Sequence, residues 1–267
     1  MSTISPSFHL DVSGTTPTPF WRQVLVEFRK SYDTRAGFWL LAAIAGLVAL
    51  VEGFVLVLTL VNGTSIAYSD YAIIAGGITS LLLPVLAILL VTTEWTQRSA
   101  MVTFSLEPRR TRVVLAKLTV SVLYVVATLV AMNAIALVAT SLCELVQPEQ
   151  TSWRFDVSGT VGFALVQVLT MAIGFALGAL LLNTPAAIVV FFLYWYLLPI
   201  VLFAVGTIRE WLGDLLEWVN FQAAVAPLGD WQLDTAEEWG KLLVSTALWI
   251  VLPLVAGMVR ILRAEVK

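Results

Sequence analysis

Residues 94–112 read EWTQRSAMVTFSLEPRRTR and lie between two long apolar segments. The stretch carries four arginines and two glutamates in a chain of which only 12% is charged. Such a segment cannot lie in hydrocarbon, because one charged side chain costs about 2.5–3.5 kcal/mol at the centre of a bilayer. It must therefore emerge at one face of a membrane, with the apolar segments on either side crossing it.

The composition of the whole chain is that of a polytopic membrane protein. Hydrophobic residues make up 59% of its 267 residues, whereas soluble domains are roughly 45–50% apolar and about 25% charged. A helix needs about 20 apolar residues to cross a bilayer. Six segments meet this length: 37–61, 71–93, 113–142, 161–182, 185–205 and 242–261. We therefore predict an all-α protein whose transmembrane domain, residues 36–267, has six membrane-spanning helices.

Three further segments are predicted outside the spans. Residues 1–18 are polar and rich in Ser, Thr and Pro, which predicts a disordered tail. Residues 19–35 form an amphipathic pattern that predicts an interfacial "elbow" helix. Its apolar face comprises Phe20, Trp21, Val24, Leu25 and Phe28. Residues 208–221 follow the fifth span and predict an outer amphipathic helix, which either lies on the membrane surface or dips into it as part of a re-entrant hairpin.

Details within the spans suggest how the helices meet. The third predicted span is longer than a bilayer requires, so we expect Lys117 to snorkel towards water near its start. Gly174 and Gly178 in the fourth predict a close helix contact through small residues. The fourth and fifth spans are separated by little more than residues 183–185, which predicts a tight helical hairpin.

The distribution of lysine and arginine predicts the orientation. Cytoplasmic loops of membrane proteins carry the excess of these residues. Twelve of the fifteen fall in three regions that six spans would put on one side. These are Arg22, Arg29, Lys30, Arg35, Arg98, Arg109, Arg110, Arg112, Lys117, Arg260, Arg263 and Lys267. We therefore predict a multi-pass plasma-membrane protein with both termini in the cytoplasm.

The chain offers little for catalysis or for metal binding. Its one cysteine, Cys143, excludes an internal disulfide, and its one histidine, His9, excludes a histidine-based metal site. The paired Glu237 and Glu238 have no histidine on their predicted side. The sequence contains no Gly-x-x-x-x-Gly-Lys-Ser/Thr phosphate loop. We predict no enzyme active site, no cofactor bound by this chain and no nucleic-acid partner.

The order of these elements resembles the permease subunit of type-2 ABC exporters. Members commonly show Glu, an aromatic residue, two variable residues, Gly, and then Thr or Ser, followed later by Pro, Arg and Lys. The matching positions here are Glu94, Trp95, Ser99, Pro108, Arg109 and Lys117. Arg98 stands where the family has Gly.

The resemblance implies that the loop forms a cytoplasmic coupling helix on a separate ATPase subunit. Two ATPase copies, which hold ATP and Mg, would assemble with two permeases, identical or paralogous. The candidate coupling residues are Glu94, Trp95, Arg98, Met101, Phe104, Arg109, Arg110 and Arg112. Met101, Val102, Phe104 and Leu106 form a predicted apolar patch. The alternative is a basic loop that only binds anionic membrane lipid.

The resemblance also implies a substrate path between the permeases, and two features provide candidate residues for it. Glu52 is the only acidic residue well inside an apolar span, and it faces either a cavity or a neighbouring helix. The fifth span carries Phe192, Trp195, Tyr196 and Pro199, which contact substrate or simply pack against other spans. Other functions also fit: a gradient-driven carrier or channel with Glu52 as its ion or proton site, or a membrane anchor or sensor without transport.

The predicted orientation can be tested with cysteines introduced at Gln97 and at Gln232 after removal of Cys143. In intact cells we expect an impermeant thiol reagent to label only the cysteine at position 232, because the basic loop faces the cytoplasm. Both cysteines should react after permeabilisation. Labelling of position 97 alone in intact cells would reverse the orientation.

Overall fold

The described chain is almost entirely α-helical. A computed structural model describes residues 18–64 and 66–264, so the predicted tail lies outside the described residues except for Thr18. The helices are α1 (Phe20–Asp33), α2 (Arg35–Asn62), α3 (Tyr68–Thr96), α4 (Ala100–Leu106), α5 (Arg110–Val146), α6 (Val157–Leu181), α7 (Thr184–Gly206), α8 (Glu210–Glu217), α9 (Phe221–Gly229) and α10 (Ala236–Arg263).

Six of these helices are long and apolar enough to cross a membrane, as predicted: α2, α3, α5, α6, α7 and α10. They contain 23 to 37 residues each. Within the described residues there is no β-strand, only a single bridge between Ala67 and Ser152. Six such helices indicate a multi-pass membrane protein, because an unbroken helix satisfies its own backbone hydrogen bonds in lipid.

Helices α3 and α6 form the centre of the bundle. In each, 56% of the most apolar window is buried, against 11% for α7 and 17% for α2. Gly174 of α6 allows the closest approach, since a Cβ atom there would lie 2.4 Å from the carbonyl oxygen of Pro84 in α3. The predicted small-residue contact is therefore confirmed. The exposed apolar faces of α2 and α7 are suited to lipid or to another chain.

The turn between α6 and α7 has the predicted tight form. Helix α6 ends at Leu181, and the following residue, Leu182, has a left-handed φ of 52°. The side chain of Asn183 then accepts a hydrogen bond of 3.0 Å from the backbone N–H of Ala186. Pro185 lies in the first turn of α7, where its missing N–H costs nothing.

The basic regions meet at one end of the bundle, which we call the basic end. Lys30 of α1 lies 2.9 Å from Glu94 near the end of α3. Arg110 of α5 donates to the carbonyl oxygen of Ile261 at the end of α10. The N-terminal, central and C-terminal basic segments therefore share this end, as the six-span arrangement requires. We call the opposite end, with the loops after α2, α5 and α7, the far end.

From the far end, α8 and α9 fold back into the bundle as a helical hairpin. The side-chain amide of Gln222 donates to the carbonyl oxygen of Trp195 at 2.9 Å, and the indole of Trp249 donates to that of Val219 at 2.8 Å. Trp195 lies 11 residues from either end of α7, or about 16 Å along the helix. The tip of the hairpin thus reaches the mid-level of α7.

The two long helices that the hairpin contacts have wide π-helical turns at the contact. These turns are Leu193–Leu197 in α7 and Ala247–Val251 in α10. Each shortly precedes a proline, Pro199 or Pro253, whose ring cannot fit the regular hydrogen-bond ladder. A widened turn accommodates the proline and frees backbone groups. The carbonyl of Trp195 is one such group, and Gln222 binds it.

Candidate functional site

Four charged side chains, three of them buried, form a cluster at the basic end, which we call the charge cluster. It consists of Glu27 and Lys30 of α1, Glu94 of α3 and Lys117 of α5. The Nζ atom of Lys30 lies 2.7 Å from Glu27 and 2.9 Å from Glu94. The Nζ atom of Lys117 lies 3.3 Å from Glu94 and also pairs with Glu27. Two positive and two negative charges thus balance, and they join three helices.

Burial and pairing act in opposite directions on Lys30. Burial lowers the pKa of this amine, but the carboxylates of Glu94 and Glu27 outweigh it, so the pKa of Lys30 lies above its ordinary value. Lys30 therefore stays protonated at physiological pH and keeps the cluster neutral overall. Removal of one member would leave an uncompensated buried charge, which is strongly destabilising.

The cluster corrects one prediction from the sequence and shows which side of α1 meets the bundle. Lys117 does not snorkel: its side chain is only 6% exposed, because Glu27 and Glu94 provide partners inside the bundle. The buried side of α1 is not simply its predicted apolar face either. Glu27 is buried there beside Val24, whereas Trp21 is exposed.

Helix α4 is attached to the bundle through its inner side. The hydroxyl of Thr103 donates to the Glu94 carboxylate at 3.0 Å. The ring of Phe104 lies 6.1 Å from that of Trp95, and the guanidinium of Arg110 lies 4.9 Å from the Phe104 ring centroid. The sequence predicts that Phe104 belongs to an apolar patch offered to a partner. This prediction is wrong for Phe104, because its ring faces inward between Trp95 and Arg110.

Two of the predicted coupling arginines make contacts within the chain. Arg110 donates to the carbonyl oxygens of Ile261 at 2.6 Å and of Ala264 at 2.8 Å. It thereby caps the end of α10, where carbonyls lack helical partners. Arg112 lies 3.6 Å from Glu107 and donates to the backbone of Thr18. These side chains stabilise the basic end itself.

The outer side of α4 is an exposed apolar surface, which we call the α4 surface. Met101, Val102 and Leu106 form it, and Leu106 is 82% exposed. Arg98 and Arg109 are exposed at its two ends. Of the predicted coupling residues, Met101, Arg98 and Arg109 are therefore exposed. The other five make contacts within the chain: Glu94, Trp95, Phe104, Arg110 and Arg112.

Arg98 makes the turn from α3 to α4 in a conformation that favours glycine. Its φ is 56°, in the left-handed region. The N–H of Ser99 bonds to the carbonyl of Glu94 at 2.9 Å, and that of Arg98 to the carbonyl of Trp95 at 3.3 Å. This pair of bonds is a Schellman cap, whose left-handed position is usually Gly. A residue with a Cβ atom there costs roughly 1–2 kcal/mol.

The residues proposed for a translocation path lie in separate parts of the bundle. Glu52 is 4% exposed in α2, beside Ala75 and Tyr71 of α3. Neither of its carboxyl oxygens has a well-formed hydrogen bond among the described residues. It lies 17 residues from the start of α2, or about 25 Å along the helix.

The aromatic residues of α7 form a stacked ladder instead. The rings of Phe192 and Tyr196 lie 6.1 Å apart, and that of Trp195 lies 5.9 Å from Phe191. Tyr196 is exposed, whereas Phe192, Trp195 and Pro199 are half-buried. The ladder packs with α6 and α9, so the structure does not bring it to Glu52.

Sequence reasoning missed several residues that organise these sites. Glu27 pairs with Lys117, and Glu94 binds both Lys30 and Thr103. Gln222 binds the π-helical turn of α7. The sequence did contain one signal for this cluster. A glutamate on the inner side of an interfacial helix, Glu27, and a lysine inside a span, Lys117, each require a partner of opposite charge.

Comparison with protein-family models and with curated proteins finds no match for this chain. A functional assignment therefore depends on the local pattern around residues 94–117 and on the geometry described above.

The charge cluster predicts non-additive effects of substitution. We expect Lys117→Met to destabilise the protein by about 3–5 kcal/mol, because two carboxylates would then share one lysine. The double variant Glu27→Gln with Lys117→Met leaves the pair of Glu94 and Lys30, so most of the loss should be recovered. The measurement is the thermal unfolding midpoint of the purified protein. Arg29→Gln, which breaks an exposed pair with Asp33, serves as the control and should change little. Additive losses in the double variant would contradict the role of the cluster.

Proposed function

We propose that this chain is the transmembrane permease subunit of an ATP-driven type-2 ABC exporter. It moves substrate across the plasma membrane together with two copies of a separate ATPase subunit, which bind ATP and Mg. The observation that carries the proposal is α4: a short helix between two spans, attached through its inner side and apolar on its outer side. A surface of this kind, with arginines at its rim, is typical of protein interfaces.

The contacts of α4 suggest how force from the ATPase would reach the spans. Thr103 and Phe104 connect α4 to Glu94 and Trp95 of α3. Arg110 connects it to α5 and to the end of α10. A displacement of α4 would therefore be transmitted to three spans, since the contacts join α4 to α3 directly and, through Arg110, to α5 and α10.

The backbone conformation of Arg98 supports the resemblance independently of the sequence match. The type-2 pattern commonly has Gly where this chain has Arg98. The left-handed φ of Arg98 gives the physical reason for that Gly. The substitution in this chain is thus compatible with the same turn, at a modest cost in strain.

Other elements are consistent with the same architecture. Helix α1 fits a cytoplasmic elbow helix, and α8 with α9 fits a re-entrant hairpin, because its tip lies level with the middle of α7. The excess of basic residues at the basic end supports a cytoplasmic position for both termini. The exposed apolar faces of α2 and α7 leave room for a second permease, identical or paralogous.

The coupling proposal is tested on the exposed residues of α4. We expect Met101→Asp to reduce copurification of the ATPase by about tenfold or more, because a charge would be buried in the interface without a partner. ATP-driven transport in the same membranes should fall in parallel. The matched control is Gln232→Glu, an exposed change at the far end, which should affect neither. Normal docking and normal transport in Met101→Asp would contradict the coupling role and would indicate that the loop only binds lipid.

Substitutions of Arg98 separate charge from backbone geometry. Arg98→Gly removes the charge but suits the left-handed φ, whereas Arg98→Ala removes the charge and keeps the strain. If the charge contacts the ATPase, both variants should weaken docking to a similar extent. Arg98→Gly should also raise the unfolding midpoint relative to Arg98→Ala, by the equivalent of about 1 kcal/mol.

A second candidate function is a gradient-driven carrier with Glu52 as its ion or proton site. The observation that favours it is the buried carboxyl group without a well-formed hydrogen bond, since acidic groups inside spans commonly mark ion pathways.

One experiment distinguishes the two functions. In vesicles that contain the ATPase, we expect transport to require ATP and to persist when ionophores collapse the ion gradients. Glu52→Gln should leave the folded yield unchanged, because no hydrogen bond is lost. Transport that survives without ATP, stops with ionophores and is abolished by Glu52→Gln would favour the carrier.

A further inference from the structure

A groove of about 520 Å³ lies between α1, α3 and α4 at the basic end. Small-molecule sites typically have volumes of about 300–1,000 Å³. The wall that α3 contributes extends from Glu94 to Leu86, a distance of about 12 Å along the helix. The groove therefore starts at the charge cluster and ends well inside the apolar part of the bundle.

The deeper wall of the groove is apolar. It is formed by Leu86, Leu89 and Leu90 of α3, and the lining also includes Val26 of α1 and two residues of the α4 surface, Val102 and Leu106. Val26, Val102 and Leu106 are exposed in the described chain. An apolar channel that runs from the end of the bundle along a spanning helix is suited to a hydrocarbon chain.

The mouth of the groove is polar and includes one arginine without an acidic partner among the described residues. The charge cluster is balanced within itself, and Glu107 lies beside Arg112. Arg22 also lines the mouth and has no carboxylate within ion-pair distance in residues 18–64 and 66–264. Lys30 is 42% exposed at the same mouth.

Gln23 provides a second polar feature that suggests a ligand. Its side chain lines the groove, and its Oε1 atom is buried without a hydrogen-bond partner among the described residues. Such an atom is costly to leave unpaired. A hydroxyl group bound in the mouth would donate to it.

We propose that the groove binds one anionic glycerophospholipid from the leaflet at the basic end. The phosphate lies at Arg22, a headgroup hydroxyl donates to Gln23, and one acyl chain lies between Val26 and Leu89. The remaining part of the lipid stays in the bilayer. The site requires only a membrane, so lipid binding can be measured without the ATPase, although Val102 and Leu106 also belong to the α4 surface.

The test is native mass spectrometry of the full chain, purified in mild detergent and titrated with lipid. The probes are phosphatidylglycerol and phosphatidylcholine with identical acyl chains. We expect one phosphatidylglycerol to be retained per chain, and phosphatidylcholine to bind at least about tenfold more weakly, since it lacks both the net charge and the hydroxyl.

Two variants address the two parts of the site, and each has a matched control on the same helix. Arg22→Gln should weaken phosphatidylglycerol binding roughly tenfold, and Val26→Trp should abolish it by filling the groove. Arg29→Gln removes an exposed charge outside the groove, and Leu25→Trp enlarges an exposed neighbour that does not line it. Both controls should bind lipid as the unaltered chain does.

Any of the following results would overturn the proposal. The first is equal retention of the two lipids, or equal loss in the control variants. The second is a full chain that binds no lipid until residues 2–17 are deleted, which would make the N-terminal segment the occupant. The third is a chain that binds no lipid in the absence of the ATPase, together with a Val26→Trp variant that no longer docks the ATPase. A helix of the partner would then be the occupant of the groove.

Discussion

The charge cluster of Glu27, Lys30, Glu94 and Lys117 is the interaction on which the basic end depends. Charges removed from water cost several kcal/mol each, and only close pairing compensates for this. The helices α1, α3 and α5 therefore cannot separate without exposing or isolating a charge. Because Glu94 also accepts a hydrogen bond from Thr103, the same cluster determines where α4 lies. It also lies at the mouth of the groove between α1 and α3.

The far end is organised by a different means. There the α8–α9 hairpin inserts between helices, and it is held by polar groups that the π-helical turns expose. Pro199 and Pro253 disturb the regular ladders of α7 and α10, and Gln222 and Trp249 make hydrogen bonds near these disturbances. Helices α3 and α6 connect the two ends through their close contact at Gly174. A shift of α4 would therefore act on the most buried pair of helices, which a coupling mechanism requires.

The polar loop between α3 and α5 combines structural residues with exposed residues. Arg110 and Arg112 bind backbone and side chains of this chain, whereas Arg98 and Arg109 remain at the surface. This division is consistent with the proposed coupling role, in which the apolar α4 surface would contact the ATPase.

The sequence by itself determined the number and type of the spanning helices, because hydropathy over about 20 residues depends only on local composition. It also located the hairpin at residues 183–185 and the small-residue contact at Gly174, since both follow from local chemistry. The inward turn of Phe104, the burial of Lys117 and the pairing of Glu27 were decided only by the tertiary structure. Amphipathic periodicity shows which residues share a face of a helix, but not which neighbour that face will meet. The partners of Lys117 lie 90 and 23 residues away in sequence, so only the folded bundle brings them together.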